Sequence, residues 1–202
     1  LAEHYGWRWV GVTIALSALA VIPFVALLLR NYPSDVGLLP YGAEHDYVLP
    51  ETSDRPIRAA FSAFTAAKRS GVFWMLWGSF FVCGLSTNGL IQTHFLAAAG
   101  DHSVSATDAA SYLALIGVFD VVGTIASGWL TDRIDPAKLL MVYYSFRGLS
   151  LLFLDPVLGT HGMGLVGFMV FYGLDWVATV PPTVAICVER FGVQRGPLVY
   201  GW

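Results

Sequence analysis

The sequence predicts an all-α integral membrane protein: a polytopic helical bundle with about five transmembrane helices and the start of another. Hydrophobic residues make up 56% of the 202-residue chain and charged residues only 12%, whereas a soluble domain carries about 25% charged residues to wet its surface. Apolar stretches of about 20 residues, the length that crosses a bilayer, recur along the chain. Seven Trp and nine Tyr suit several membrane–water interfaces, where these rings concentrate.

Five apolar stretches define the predicted spans, and the lipid bilayer is the expected partner of each. They are residues 10–29, 71–99, 109–131, 139–154 and 162–188. The fourth is short, so Ala137 and Lys138 are expected to extend its helix. Pro23 should kink the first span, and the pair Pro181-Pro182 should loosen the fifth near its end, because proline has no backbone N–H.

The long polar connection between the first two spans has two parts. Its first part is rich in proline and glycine and is expected to be irregular. Its second part places Ile57, Phe61 and Phe64 at helical spacing, with Arg58 and Lys68 on other faces. This pattern predicts an amphipathic helix on the cytoplasmic membrane surface. An ordinary soluble helix packed on a loop is the alternative.

The distribution of basic residues predicts the topology. Lys and Arg cluster in the connections that follow the first, third and fifth spans, whereas the connections at 100–108 and 155–161 contain neither. Because cytoplasmic loops carry the excess of positive charge, the basic connections are predicted to be cytoplasmic. The chain then divides into residues 1–30, a transmembrane helix; 31–70, a central cytoplasmic loop with the amphipathic helix; and 71–202, a partial transmembrane bundle.

Three ionisable residues lie inside consecutive predicted spans: Asp120, Arg147 and Asp175. An ionised side chain at the centre of a membrane helix costs about 2.5–3.5 kcal/mol on insertion scales, so it rarely faces lipid. We expect the three to face a shared polar interior that serves a substrate or proton pathway. A purely structural ion pair is the alternative. Gly123 and Ser127 form a small-xxx-small pair, which lets helices approach closely.

Polar residues on neighbouring turns extend this predicted pathway. Thr124 lies one turn after Asp120, and Asn88 and Gln92 share a face of the second span. We expect these amides to face the substrate, although interhelical hydrogen bonding explains them equally well.

Enzymatic function classes find no support in the sequence. Nucleophile, metal-ligand and phosphate-binding motifs are all missing, so we expect no catalytic residue, no metal site, no cofactor and no enzyme. The net charge of −3 does not suggest nucleic acid as a partner. Cys83 and Cys187 lie in apolar stretches and are expected to act as small hydrophobic residues.

The segment Gly128-Trp129-Leu130-Thr131-Asp132-Arg133 resembles the G-x-L-x-D-R-x-G-R signature of the major facilitator superfamily. The resemblance implies that Gly128, Asp132 and Arg133 form a conformational switch, in which the Asp and Arg tether neighbouring cytoplasmic helix ends. Asp135 and Pro136 replace the family's following Gly and Arg.

Other segments resemble the same superfamily. The opening Gly6-Trp7-Arg8-Trp9 is similar to the entry of helix six, so the chain would comprise helices six to ten and the start of helix eleven, without the N-terminal half. Residues 33–42 and the Gly117-to-Asp120 stretch resemble oxalate/formate-antiporter and monocarboxylate-transporter relatives. Those carriers place an Arg one turn after the Asp. Here Thr124 stands there, so the resemblance transfers only the Asp role, to Asp120.

The function implied is secondary active transport of a small organic solute by alternating access in the plasma membrane. A carboxylate is one candidate substrate, and proton coupling through Asp120 is one candidate mechanism. A drug or metabolite exporter of the same fold and a membrane sensor or assembly subunit that moves nothing are the alternatives.

Overall fold

The computed structural model describes residues 6–30, 33–39, 56–160 and 162–202. The described residues form helices and no strands, which confirms the predicted all-α class. The chain separates into two compact units, residues 1–51 and 52–202.

The first unit contains one long helix, α1, Trp7–Leu28, followed by a short 3₁₀ turn, Pro33–Val36. Its 22 residues are about 33 Å long at 1.5 Å per residue, enough to cross a bilayer. Pro23 lies inside the helix, and no side chain of α1 is buried. An apolar helix of this length suits a membrane span.

The second unit contains the remaining helices and a π-helical segment. They are α2 (Pro56–Ala67), α3 (Gly71–Gly84), the π segment (Leu85–Gln92), α4 (Thr93–Asp101), α5 (Ala106–Thr131), α6 (Pro136–Leu152), α7 (Leu154–Leu158), α8 (Met163–Asp175), α9 (Val180–Phe191) and α10 (Gly196–Tyr200).

Fewer helices qualify as spans by length and composition than the five predicted. Among the described residues three do: α1, α5 and the combined stretch Met163–Phe191. A fourth joins them if α2 and Gly71–Asp101, which bend by 106° at the break between them, count as one span. The predicted span at 139–154 corresponds to α6, whose 17 residues extend only about 25 Å.

Polar side chains fix where α5 and α6 begin. The Ser105 hydroxyl accepts a hydrogen bond from the backbone N–H of Asp108, 3.1 Å away, at the start of α5. Asp135 caps α6 by accepting from the N–H groups of Ala137 and Lys138 at 2.9 and 3.1 Å. Such caps satisfy N–H groups that have no partner within the helix.

Helices α5 and α8 make the most extensive helix–helix contact of the second unit. A Cβ atom on Gly123 would collide with the backbone carbonyl of Leu174, and one on Gly173 would lie 2.8 Å from the carbonyl oxygen of Ile116. The Ser127 hydroxyl donates a hydrogen bond to the carbonyl of Ala178. Close helix approach at Gly123 and Ser127 is therefore confirmed.

The amphipathic helix α2 packs one face on protein. Ala63 and Ala67 are buried together with Phe73 of α3 and Val199 of α10. Ile57, on the other side, is 73% exposed. The predicted amphipathic pattern is present, and the packed face is formed by Ala63, Ala67 and the partly buried Phe64.

Candidate functional site

The candidate site is organised by a break in the helix between α8 and α9. Pro181 and Pro182 have no N–H, so the carbonyls of Val177 and Ala178, four residues earlier, cannot receive the usual helical hydrogen bond. Helix α8 ends at Asp175 and α9 begins at Val180. The predicted loosening before the proline pair is present, and side chains from three neighbouring helices bind residues 175–179.

Arg147 of α6 makes three of those contacts and a fourth hydrogen bond to α3. Its Nε donates to Asp175 Oδ2 at 2.6 Å. Its Nη1 donates to the Cys83 sulfur of α3 at 2.6 Å. Its Nη2 donates to the carbonyl oxygens of Asp175 and of Trp176, the latter at 2.9 Å. All three guanidinium nitrogens are therefore engaged by protein.

The Arg147–Asp175 pair lies in the protein interior, with the two side chains only 2% and 8% exposed. Two buried charges are tolerated when they pair and when further hydrogen bonds satisfy the remaining donors. Asp175 Oδ1 and the hydroxyls of Tyr144 and Tyr172 are buried without a hydrogen-bond partner among the described residues. The geometry favours a structural pair over direct contact with a solute.

Asp120 of α5 is half-buried and lies on the other side of the break. Its Oδ1 accepts hydrogen bonds from the backbone N–H of Val177 at 3.0 Å and from the Thr124 hydroxyl at 3.3 Å. Its Oδ2 accepts none within the described part of the chain. The carboxylate lines a pocket of ≈ 240 Å³ with Gln92 and Trp176.

The two amides predicted to face the substrate are placed differently. Gln92 lines the Asp120 pocket, whereas Asn88 is exposed outside it. Both belong to the π segment, Leu85–Gln92. The hydroxyls of Ser86 and Thr87 donate to the Cys83 carbonyl at 3.0 and 2.7 Å.

The predicted switch residues lie at the end of α5. Arg133 donates to the Trp129 carbonyl at 3.0 Å, and its guanidinium carbon lies 4.0 Å from the Trp129 ring centroid. Asp132 is exposed, and the carboxylate that caps the next helix belongs to Asp135. Nothing lies within 4 Å of a Cβ placed on Gly128. Within the described residues, Arg133 binds its own helix rather than a neighbouring helix end.

Sequence reasoning missed Cys83, Trp176 and the backbone N–H of Val177 as parts of this region. Cys83 was expected to act only as a small hydrophobic residue, yet its sulfur accepts from Arg147. The proline pair signals a helix break here, but it does not identify the Val177 N–H, because a missing proline N–H frees an upstream carbonyl and not an upstream N–H.

Comparisons with known proteins agree with this architecture. The sequence profile of the Major Facilitator Superfamily matches residues 1–202. The chain belongs to the Major Facilitator Superfamily. No solved structure matches it.

Several named members of the superfamily are similar to this chain. Monocarboxylate transporter 12-B of Danio rerio is 31% identical over an alignment of 213 positions. The alignment covers 94% of this chain and 44% of that protein. The MFS-type transporter YcxA of Bacillus subtilis, named as uncharacterized, is 25% identical, covering 93% and 43%. The gallate transporter of Pseudomonas putida is 26% identical, covering 100% and 52%. The chain thus spans about half the length of the curated relatives it matches.

Proposed function

We propose that this chain is part of a proton-coupled secondary transporter of a small organic solute, working by alternating access in the plasma membrane, with Asp120 as the group that binds and releases the proton. The observation that carries the proposal is the Asp120 carboxylate: one oxygen is held by Val177 and Thr124, the other accepts no hydrogen bond among the described residues, and Asp120 lines a pocket. A carboxylate fixed at one oxygen and available at the other can exchange a proton without losing its position.

The surroundings of Asp120 support a transport role over a purely structural one. A structural carboxylate inside a membrane protein pairs with a cation, and Arg147 pairs with Asp175 instead. Trp176 and Gln92 give the pocket an aromatic ring and an amide. Such a mixture of apolar wall and few polar groups is typical of small-molecule sites.

A carboxylate is the proposed solute class. The names of similar proteins, the monocarboxylate transporter and the gallate transporter, support it. None of the described residues that line the Asp120 pocket is basic. We therefore propose that the counter-charge for the solute comes from an N-terminal half, which completes the cavity between the two repeats.

The test compares two Asp-to-Asn variants of α5 in the full-length protein, reconstituted in vesicles. Radiolabelled monocarboxylates, gallate among them, are supplied with and without an inward proton gradient. Asp120→Asn should abolish gradient-driven accumulation, because an amide cannot bind and release the proton. Asp108→Asn, in the exposed first turn of the same helix, should behave as wild type.

Three outcomes are informative. Gradient-driven uptake lost only in Asp120→Asn supports the proposal. Gradient-driven uptake retained in Asp120→Asn removes the role of Asp120. Absence of uptake or efflux of any monocarboxylate by the wild-type protein overturns the proposed solute class.

A further inference from the structure

Two of the hydrogen bonds at the helix break meet on a single peptide group. Arg147 Nη2 donates to the carbonyl oxygen of Trp176 at 2.9 Å, and the N–H of Val177 donates to Asp120 Oδ1 at 3.0 Å. The Trp176 carbonyl and the Val177 N–H belong to the same planar peptide bond, on which they point in opposite directions. One rigid unit therefore joins the guanidinium on α6 to the carboxylate on α5.

We propose that Arg147 is the positioning residue for Asp120: its guanidinium holds the 176–177 peptide group, and that peptide group holds the carboxylate. This inference rests on the proposed role of Asp120 in proton coupling. It assigns Arg147 a task beyond neutralising Asp175, and it places Arg147 behind the site rather than in contact with the solute.

The order of the hydrogen bonds gives the arrangement its strength. A carbonyl that accepts from a cation becomes more polarised, and its N–H then donates more strongly. The carboxylate at the far end polarises the same peptide group in the same sense. Hydrogen bonds that involve a charged partner are about twice as strong as neutral ones, and here both ends of the chain carry a charge.

The position of the peptide is also over-determined by the other contacts of Arg147. Its Nε is fixed by Asp175 and its Nη1 by the Cys83 sulfur, so the remaining nitrogen, Nη2, has little freedom. A planar guanidinium with two edges already bound presents its third donor in one direction. Lysine, with a single rotating ammonium group, cannot reproduce this arrangement.

No other described charge competes for Asp120. The residues that line its pocket from the π segment, α5 and the break are Gln92, Leu113, Ile116, Gly117 and Trp176, all uncharged. Thr124 supplies the second hydrogen bond to Oδ1. Among the described residues, hydrogen bonds therefore connect Asp120 to a cation through the 176–177 peptide group, which binds Arg147.

The decisive variant removes both charges of the buried pair: Arg147→Met with Asp175→Asn. If Arg147 serves only to neutralise Asp175, eliminating the pair should leave the Asp120 site intact, because a buried ion pair can be replaced by neutral residues without loss of fold. If Arg147 positions Asp120, the double variant folds, but the 176–177 peptide group loses its guanidinium partner and no longer fixes the carboxylate in one orientation. Ser127→Ala is the matched control, since Ser127 bonds the neighbouring Ala178 carbonyl and not the 176–177 peptide.

The first readout is infrared spectroscopy of the purified full-length protein. The carboxylate stretch of Asp120 is identified as the band lost in Asp120→Asn. In the double variant we expect this band to shift and broaden, because the carboxylate loses a well-aligned donor, and in Ser127→Ala we expect it unchanged. An unaltered band in the folded double variant overturns the inference, whatever the protein transports.

The second readout is proton-driven accumulation compared with solute exchange in the same vesicles, using the monocarboxylate panel. Losing a hydrogen bond to a charged group should lower proton-driven accumulation at least about tenfold relative to exchange. Arg147→Lys, which retains the charge, should show the same deficit and serves as the second variant where the double variant does not fold. Suppose that the wild-type protein transports nothing, but the infrared band changes as expected in the double variant. That result refutes the proposed function and supports the positioning role.

Discussion

The tight crossing of α5 and α8 at Gly123 gives a stability prediction: Gly123→Ala should destabilise the bundle. Gly123 lies where α5 crosses α8, and an added Cβ would overlap the backbone carbonyl of Leu174. A backbone atom cannot swing aside as a side chain can, so the two helices must separate. Separation would also strain the Ser127–Ala178 hydrogen bond one turn later.

The magnitude follows from two opposing effects. Replacing glycine by alanine inside a helix favours folding by about 1 kcal/mol. Overpacking a tight contact costs about 1–3 kcal/mol, and the rigid obstacle places Gly123 at the upper end. The net loss is about 2 kcal/mol, which lowers the midpoint of thermal unfolding by about 4–8 °C in a body of 150–250 residues.

The assay is thermal unfolding of the full-length protein in detergent, followed by size-exclusion chromatography of the surviving fraction. Gly167→Ala in α8 is the matched control, because nothing lies within 4 Å of a Cβ placed there. The control should be as stable as wild type or more so. Equal melting temperatures for the two alanine variants would refute the described crossing of α5 and α8.

Two further predictions use neighbouring residues as their own controls. Asp135→Ala should lower the free energy of unfolding by about 1 kcal/mol, because Asp135 caps α6. Asp132→Ala should leave the melting temperature unchanged. Equal effects of the two variants would show that the capping residue is assigned wrongly. Ala67→Leu should destabilise the folded protein by about 1–3 kcal/mol through overpacking against Phe73. Ala66→Leu, on the exposed side of α2, should be tolerated. A tolerated Ala67→Leu in the same thermal assay would argue against the packing of α2 on Phe73.

Much of the helical framework was predictable because membrane insertion depends on composition over long windows. The predicted spans at 10–29, 71–99 and 109–131 correspond to helices Trp7–Leu28, Gly71–Asp101 and Ala106–Thr131, with ends that differ by at most three residues. The helix Ala106–Thr131 begins three residues before the predicted span because Ser105 caps it there. Capping is local, and hydropathy does not detect it.

The candidate site was predictable only in part. A charge inside an apolar span is conspicuous, so Asp120, Arg147 and Asp175 could be selected from the sequence alone. The sequence could not show which carboxylate Arg147 binds. The three residues lie on different helices, and a pair with Asp120 would be as consistent with the sequence as a pair with Asp175. The sequence also predicted that Asn88 and Gln92 face the same site, whereas only Gln92 lines the Asp120 pocket.

The sequence by itself determined that this is a membrane protein, that three charged residues lie within its apolar spans, and that its motifs resemble one superfamily. These properties depend on single residues and short sequence windows, so they can be predicted without knowing how the helices pack. Only the tertiary structure decided that Arg147 pairs with Asp175 and that Asp120 is held by a backbone N–H. The physical reason is that hydrogen bonds between helices depend on the geometry of the helix crossing. Here two glycines and the break before the proline pair set that geometry. No pattern along the chain encodes which peptide group will face which side chain.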